Sequence, residues 1–322
     1  MGSKAPIRPP RLAPGSRIAL VAPAGPLLEA DDLTRAAELC RALGYEPVMG
    51  DHAGHRYGYL AGTDDERVGD LNNALRDPTI DGIWCIRGGY GTIRILDRID
   101  FGALASRPRA LIGFSDITTI LNAAVGRAGV VAFHGPVARA AMPAFSRRHF
   151  ERVLSCAEPA GRLDRLPAPP DVLVPRKDRI VTLSGGVAEG RLVGGNLTLL
   201  QCLIGTPFLP DFDGAILVLE EVGEALYRVD RMLAHLRLVG ALDRLAGIVV
   251  GQFTELERQI PDGALGFGEV LETYFRPLGI PAGYGFPVGH IDDQWTLPLG
   301  VLARFDADAG ELELLEAAVT EI

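Results

Sequence analysis

The sequence has no apolar run that approaches the ~20 residues of a membrane-spanning helix, and it has no excess of basic charge. Its 322 residues include 32 Lys and Arg against 41 Asp and Glu, a formal net charge of -9. This balance argues against a nucleic acid or an anionic membrane surface as a partner. The first residues also lack the apolar segment of a secretory signal, so we expect a cytoplasmic protein.

Cysteine is scarce, and the sequence contains no nucleotide-binding signature. The four cysteines are scattered without C-x-x-C spacing, which argues against a disulfide scaffold or a zinc site, and we interpret them as reduced core residues. Neither a Walker A sequence nor G-x-G-x-x-G occurs, so nucleotide binding has little support. There is also no internal repeat and no low-complexity tract.

The composition, 48% hydrophobic and 23% charged, is that of a globular protein, and the length suggests two domains. Residues 1–150 alternate strand-like and helix-like segments, which predicts an α/β domain with a parallel sheet. The carboxyl ends of such strands are where sites form. The segments are Arg17–Ala22, Leu33–Leu43, Glu66–Leu75, Gly82–Ile86 and Arg109–Phe114.

The second half of the sequence differs from the first in composition and in hydrophobic periodicity. Residues 151–178 contain several prolines and little periodicity, which predicts a linker. Residues 179–322 contain short glycine-rich strands and one clear helix at Arg228–Val239, which predicts a β-rich domain, barrel-like or swivelling. The predicted strands are Ile180–Leu183, Val187–Val193, Ala215–Glu220, Gly247–Gln252, Val301–Asp306 and Glu311–Leu315.

Ser115 is the most informative single residue. It follows the apolar run Arg109–Phe114 and precedes an acidic residue and a plausible helix, which is the layout of a nucleophile elbow. A serine on such a turn can attack a carbonyl when a base and an oxyanion hole are supplied. The pattern also fits a simple Ser-Asp helix cap.

A serine nucleophile needs a base, and the six histidines differ in where they lie in the predicted structure. His134 and His290 end apolar stretches, where sites concentrate, and the spacing does not choose between them. The other four lie in a polar loop, after two arginines or within a helix: His52, His55, His149 and His235.

The base needs an acid to hold its tautomer, and Glu220 and Glu221 directly follow an apolar strand. Alternation along a strand places the two on opposite faces, so that one faces a cleft while the other meets solvent. The pattern is equally typical of a strand that runs into an acidic loop.

The segment from Arg87 to Gly91 contains three glycines. The N–H groups of Asp116 and of Gly88 or Gly89 are predicted donors to an oxyanion, because glycine permits close approach. On its own, this segment is also compatible with a tight turn or with a nest for an anion.

Seven motifs occur in an order that resembles the LD-carboxypeptidases, a family that includes murein tetrapeptide carboxypeptidases and microcin C immunity-type hydrolases. The resemblance extends from about Pro14 to about Phe305. The motifs are Arg87-Gly88-Gly89-Tyr90-Gly91, Gly113-Phe114-Ser115-Asp116-Ile117-Thr118, Phe133-His134-Gly135-Pro136, Gly194-Gly195-Asn196-Leu197, Leu219-Glu220-Glu221-Val222-Gly223-Glu224, Tyr227-Arg228-Val229-Asp230-Arg231 and Gly285-Phe286-Pro287-Val288-Gly289-His290.

The resemblance implies a site between an N-terminal α/β domain and a C-terminal β-rich domain. It implies a triad of Ser115, His290 and Glu220, with His134 in a structural or pocket-edge role. Glu221 departs from the aspartate of many members, which keeps the choice between the two glutamates open. Residues that we expect near the substrate are Arg87, Tyr90, Tyr227, Arg228 and Trp295, with Arg231 close by in sequence.

The function implied by the resemblance is removal of the terminal D-Ala from the muropeptide L-Ala-γ-D-Glu-meso-diaminopimelate-D-Ala, in cytoplasmic peptidoglycan recycling. It implies a homodimer that needs no metal or organic cofactor. One alternative is a hydrolase of microcin C-type peptidyl nucleotides, which an aromatic side chain such as Trp295 would favour by stacking on a base. The other is a non-catalytic module that holds an anionic ligand on Gly88–Gly91.

Overall fold

Two β-sheets organise the protein, and its computed structural model describes residues 5–167, 179–256 and 265–322. The strands are β1 Arg17–Val21, β2 Glu46–Met49, β3 Gly82–Cys85, β4 Ala110–Gly113, β5 Ala132–His134, β6 Gly161–Arg162, β7 Val181–Ser184, β8 Val187–Asn196, β9 Ile216–Val222, β10 Gly247–Thr254, β11 Ala282–Tyr284, β12 Leu297–Leu299, β13 Leu302–Asp306 and β14 Glu311–Leu314.

The helices follow the strands in the alternation that the sequence predicts. They are α1 Asp32–Ala42, α2 Asp64–Arg76, α3 Phe101–Ser106, α4 Thr118–Ala123, α5 Ala144–Ser155, α6 Leu197–Leu203, α7 Leu226–Leu238 and α8 Phe267–Phe275. Shorter helical turns occupy Thr92–Arg94, Leu96–Arg98, Ser115–Ile117, Ala124–Ala128 and Arg276–Leu278.

The first sheet has the order β12-β5-β4-β3-β1-β2, and β1 to β5 are parallel. This confirms the predicted α/β fold with a parallel sheet. The edge strand β12 comes from the C-terminal part of the chain and pairs antiparallel with β5. All four residues of β4 are buried, as expected for a central strand of a sheet covered by helices.

The second sheet has eight strands in the order β6-β14-β13-β8-β9-β10-β11-β7. Strands β8 to β11 are parallel, and the flanking strands are antiparallel. This agrees with the β-rich second part that the sequence predicts, joined to the first to form a two-part mixed α/β fold.

Strand β9 separates two hydrophobic cores. Ile216 and Val218 belong to the core shared with the first sheet, whereas Leu217 and Leu219 belong to a core with α6, α7 and α8. Successive side chains of a strand point to opposite faces, so the even-numbered residues of β9 face the first sheet.

Helix α4 holds the two sheets together. The Asn122 side chain donates to the Gly194 carbonyl at 2.8 Å and accepts from the Gly194 N–H at 3.1 Å. One turn earlier, the Thr118 hydroxyl accepts from the Asn196 N–H at 3.1 Å. These buried hydrogen bonds fix the start of α4 against the end of β8.

Two expectations about the chain need correction. Cys40 and Cys85 are buried, as predicted, but Cys156 and Cys202 are exposed, because they fall at a helix end and on the outer side of α6. Within the predicted linker, residues 151–155 complete α5 and 161–162 form β6, whereas residues 168–178 lie outside the described residues. The domain boundaries stay a prediction.

No helix in the described parts of the chain combines the length and the apolar character that crossing a membrane requires.

A buried histidine on α5 lies close to the segment after β6. His149 lies against Phe145, with ring centroids 4.6 Å apart, and its Nε2 is 3.7 Å from an Asp164 carboxylate oxygen. Burial lowers the pKa of His149 to about 4, and the neighbouring carboxylate offsets only part of that effect.

We predict that His149 makes the protein less stable in acid. Because its pKa is about 4 in the folded state and 6.5 ordinarily, the unfolded chain binds the proton first, and stability is lost as pH falls from 6.5 towards 4. His149→Leu should flatten this decline by up to about 1.4 kcal/mol per pH unit. Urea unfolding at several pH values measures it.

The matched control is Phe145→Leu, which disturbs the same packing but removes no titratable group. It should keep the wild-type dependence on pH whatever its absolute stability. An unchanged slope in His149→Leu would contradict the assignment.

Candidate active site

Ser115 lies on a strained turn at the carboxyl end of β4. Its φ is +65°, in the left-handed region that only two described non-glycine residues adopt. The Ser115–Ile117 turn and α4 follow immediately. Gly113 makes the sharp turn possible, because a Cβ there would lie 3.0 Å from the Ile117 side chain. This is the strand-turn-helix geometry expected of a nucleophile elbow.

His290 joins Ser115 to Glu220 by hydrogen bonds. Its Nε2 is 3.0 Å from the Ser115 Oγ, and its Nδ1 is 2.8 Å from a Glu220 carboxylate oxygen. A carboxylate can only accept, so Nδ1 carries the hydrogen and Nε2 is left to accept the serine proton. Glu220 is fully buried, whereas 22% of the His290 side chain is exposed.

The backbone around these residues allows the close approach. Gly289 has a φ of +124°, and a Cβ at this position would lie 3.1 Å from a Glu220 carboxylate oxygen. A larger residue before His290 would therefore push the histidine loop away from Glu220. Glu220 is even-numbered and so shares the face of Ile216 and Val218, which points towards the first sheet.

Glu221 has a structural environment of its own. One carboxylate oxygen accepts from the Asn196 side chain at 2.9 Å, and the other accepts from the Thr198 N–H in the first turn of α6 at 2.8 Å. Burial raises the pKa of Glu221, and these hydrogen bonds oppose the shift. The expectation that the second glutamate meets solvent is wrong, because α6 covers that face.

The other histidine that the sequence left open, His134, lies beneath the site. It is 1% exposed, and neither ring nitrogen has a hydrogen-bond partner among the described residues. Burial lowers its pKa to about 4, so it is neutral at physiological pH. The Phe114 ring lies between the two histidines, with centroids 5.9 Å from His134 and 4.8 Å from His290.

The glycine segment, residues 87–91 after β3, lies against Ser115. A Cβ on Gly88 would lie 2.9 Å from the Ser115 Oγ and 3.4 Å from the Asp116 nitrogen. Gly89 has a φ of +116° and packs on Gly25, where a Cβ would lie 3.0 Å from the Gly25 Cα. The structure therefore brings the residues named as oxyanion donors to one side of Ser115.

The side chain of Asp116 attaches the glycine segment to the elbow. It accepts from the Thr92 N–H at 2.9 Å, and the Thr92 hydroxyl donates to the Asp116 carbonyl at 2.6 Å. Burial raises the pKa of Asp116, and the Thr92 hydrogen bonds act in the opposite direction. No sequence pattern indicated Thr92, because it belongs to no motif and lies 24 residues from Asp116.

Two residues expected near the substrate lie in the glycine segment. Arg87 is half-buried and donates to the Pro26 carbonyl. Tyr90 is exposed and packs edge-to-face on Tyr59, with ring centroids 5.4 Å apart.

Two further residues expected near the substrate lie on α7. Tyr227 is exposed, with the Arg228 guanidinium 5.9 Å from its ring centroid. Arg228 also pairs with Glu224 at 3.4 Å, so its charge has a partner on the protein. The guanidinium of Arg231 lies 5.8 Å from the same ring.

The expectation of a substrate contact at Trp295 is wrong. The side chain is 1% exposed, and its indole N–H donates to the Asp164 carbonyl at 2.8 Å. It packs against Phe286 and is a core residue. Its position five residues after His290 suggested proximity, but only the packing shows which way the ring points.

A serine on a strained turn is hydrogen-bonded to a histidine, which is in turn hydrogen-bonded to a glutamate; this is the arrangement of a serine peptidase. Family models agree: the LD-carboxypeptidase N-terminal domain matches residues 18–135, and the C-terminal domain matches residues 189–305. The chain belongs to the LD-carboxypeptidase family.

Individual relatives resemble the chain over almost its whole length. The murein tetrapeptide carboxypeptidase of Pseudomonas aeruginosa is 37% identical and covers 91% of this chain and 94% of its own. The structure of muramoyltetrapeptide carboxypeptidase from Oxalobacter formigenes has a TM-score of 0.77 at 32% identity, covering 93% and 98%. That of the microcin C7 self-immunity protein MccF with aspartyl sulfamoyl adenosine has a TM-score of 0.86 at 25% identity, covering 98% and 100%.

We predict that Gly88→Ala blocks the site without unfolding the protein. The new methyl group would lie 2.7 Å from the Ser115 Cβ, so the serine or the glycine segment must shift. Labelling of Ser115 by a fluorophosphonate should slow by on the order of 100-fold, while the melting temperature stays near wild type.

The control is Gly69→Ala in α2, where an added Cβ meets nothing within 4 Å. It should label at the wild-type rate. Normal labelling of Gly88→Ala would contradict the geometry.

Proposed function

We propose that this protein is a serine-type L,D-carboxypeptidase that removes the terminal D-Ala from L-Ala-γ-D-Glu-meso-diaminopimelate-D-Ala in cytoplasmic peptidoglycan recycling. The observation that carries the proposal is the hydrogen-bonded chain from Ser115 through His290 to Glu220, at 3.0 and 2.8 Å. The names of the relatives from Pseudomonas aeruginosa and Oxalobacter formigenes support a murein tetrapeptide as substrate.

The reaction begins with attack on the carbonyl between diaminopimelate and D-Ala. The Ser115 Oγ forms a bond to the carbonyl carbon while its proton moves to the His290 Nε2. Glu220 accepts a hydrogen bond from Nδ1 and stabilises the imidazolium that forms. The buried carboxylate is well suited to this role, because little water is present to screen the interaction.

The negative charge on the tetrahedral intermediate requires N–H donors. The Asp116 N–H and one from Gly88 or Gly89 would supply them. The hydrogen bonds between Asp116 and Thr92 hold the glycine segment against the turn at Ser115.

The intermediate collapses when the carbon–nitrogen bond breaks. His290 gives its proton to the amine of the leaving D-Ala, and the shortened peptide stays attached to Ser115 as an ester. A water molecule then attacks the ester with His290 as base, which releases the tripeptide acid and restores the serine hydroxyl.

The expected homodimer and cytoplasmic location rest on the resemblance, and they are part of this proposal. The peptidyl-nucleotide alternative loses one of its supports, because Trp295 is buried and unable to stack on a base. The non-catalytic alternative does not account for three triad side chains within hydrogen-bond distance of one another.

We predict that the purified protein releases D-Ala from murein tetrapeptide and that Ser115→Ala lowers kcat by at least about 10³-fold while the protein remains folded. Chromatographic detection of D-Ala measures it. A variant that kept more than about a tenth of the activity would refute the nucleophile. No release by wild type, with Ser115 still labelled by a fluorophosphonate, would indicate another substrate, and peptidyl nucleotides would be tested next.

The two adjacent glutamates provide a second test. Glu220→Gln should lower kcat by on the order of 10³- to 10⁴-fold, because the amide no longer fixes the His290 tautomer or stabilises its charge. Glu221→Gln should keep kcat within about tenfold of wild type and lower the free energy of unfolding by about 1–3 kcal/mol. The reverse pattern would assign the triad acid to Glu221.

A further inference from the structure

Arg139 lies at the carboxyl end of the first sheet, beside the glycine segment. Its backbone N–H donates to the Ile86 carbonyl at 3.3 Å, and the Ala138 N–H donates to the Cys85 carbonyl at 3.0 Å. These bonds extend the chain after β5 along the end of β3, so that Arg139 sits next to the residue that precedes Arg87. No sequence motif singled it out.

The Arg139 side chain has no hydrogen bond within the described parts of the chain. Its Nε is buried without a partner, and 27% of the side chain is exposed. Its nearest acid is Asp32, with 3.8 Å between Nη1 and a carboxylate oxygen, which is an ion pair but too long for a hydrogen bond. A guanidinium presents five N–H donors in a rigid fork, and the exposed part of this one is available to an acceptor from solution.

The Asp32 carboxylate accepts its hydrogen bonds from groups other than Arg139. One of its oxygens accepts from the Leu28 and Glu29 N–H groups at 2.9 and 3.2 Å, and the other accepts from Arg35 at 3.4 Å. Burial alone would raise the pKa of Asp32, but these donors and the guanidinium of Arg139 bring it below its ordinary value. The negatively charged Asp32 carboxylate therefore orients the Arg139 guanidinium. Most of the N–H donors of that guanidinium remain unused by the described residues.

Arg87 supplies a second cation at the same place. Burial lowers the pKa of Arg87, and repulsion from Arg139 adds to the shift. The hydrogen bond from the Arg139 backbone to the Ile86 carbonyl places the two residues side by side at the end of β3. A Cβ on Gly25 would lie 3.0 Å from the Arg87 Nη1 and 3.1 Å from the Gly88 carbonyl oxygen. The Arg87 head group thus packs against the glycine segment beside Gly88, the residue that lies against Ser115.

We propose that Arg139, with Arg87, binds the α-carboxylate of the amino acid that leaves, and so restricts cleavage to the last peptide bond. This assignment rests on the proposed carboxypeptidase function. In such a substrate the free carboxylate lies one residue beyond the scissile bond, so its binding group must lie near the proposed oxyanion donors. The Arg87 head group packs beside Gly88, and Arg139 lies next to it at the end of β3. The planar fork of arginine matches a carboxylate with two parallel hydrogen bonds.

The test compares two substrates that differ only at this carboxylate. Murein tetrapeptide ends in D-Ala, and its amidated counterpart ends in D-alaninamide. Wild type should prefer the acid by on the order of 100-fold in kcat/KM. Arg139→Gln should lower kcat/KM for the acid by on the order of 100-fold and change that for the amide by less than about threefold. Arg139→Lys should recover part of the preference.

The matched control is Arg35→Gln, which removes the other arginine paired with Asp32 on its exposed side. It should leave the preference for the acid unchanged. Equal losses on both substrates in Arg139→Gln, or no loss on either, would overturn the assignment, since a structural role does not discriminate between acid and amide. Absence of D-Ala release by wild type would instead refute the proposed function, and this assignment with it.

Discussion

The hydrogen-bonded chain from Ser115 through His290 to Glu220 crosses from one sheet to the other, and the site therefore depends on how the two sheets are held. Ser115 follows β4 of the first sheet, and Glu220 belongs to β9 of the second. A shift of 1 Å between the sheets would lengthen both hydrogen bonds beyond useful range. The buried bonds of Asn122 to the Gly194 backbone prevent such a shift, because α4 starts immediately after the elbow and β8 pairs directly with β9.

The same packing controls the electrostatics around His290. Phe114 covers one face of the ring, and the neutral His134 lies on the other side of that phenylalanine. A second charged imidazole at this depth would repel the imidazolium that the proposed reaction forms on His290, whereas the buried Glu220 carboxylate would stabilise it. Burial thus acts in two ways: it keeps His134 neutral, and it would strengthen the interaction of Glu220 with the imidazolium of the proposed reaction.

The glycine segment contacts the turn at Ser115, and two arginines lie at its start. Gly88 faces Ser115 with no room for a side chain, and Thr92 fastens the segment to Asp116. The Arg87 head group packs against the same segment and Arg139 lies beside it, where we propose that they bind an anion. One short segment would thereby connect the proposed oxyanion donors with the proposed carboxylate site, so that a substrate reaching both is oriented for the proposed attack by Ser115.

Local patterns in the sequence determined the strand and helix alternation, the turn at Ser115 and the opposite faces of Glu220 and Glu221. These follow from periodicity and backbone sterics, which act over a few residues. The sequence alone left open which face of β9 meets the first sheet and which histidine reaches Ser115, and only the resemblance pointed to His290. Spacing in the sequence placed Trp295 wrongly near the substrate, and no motif indicated Thr92 or Arg139. These depend on contacts between residues far apart in the chain, which only the packing of the two sheets decides.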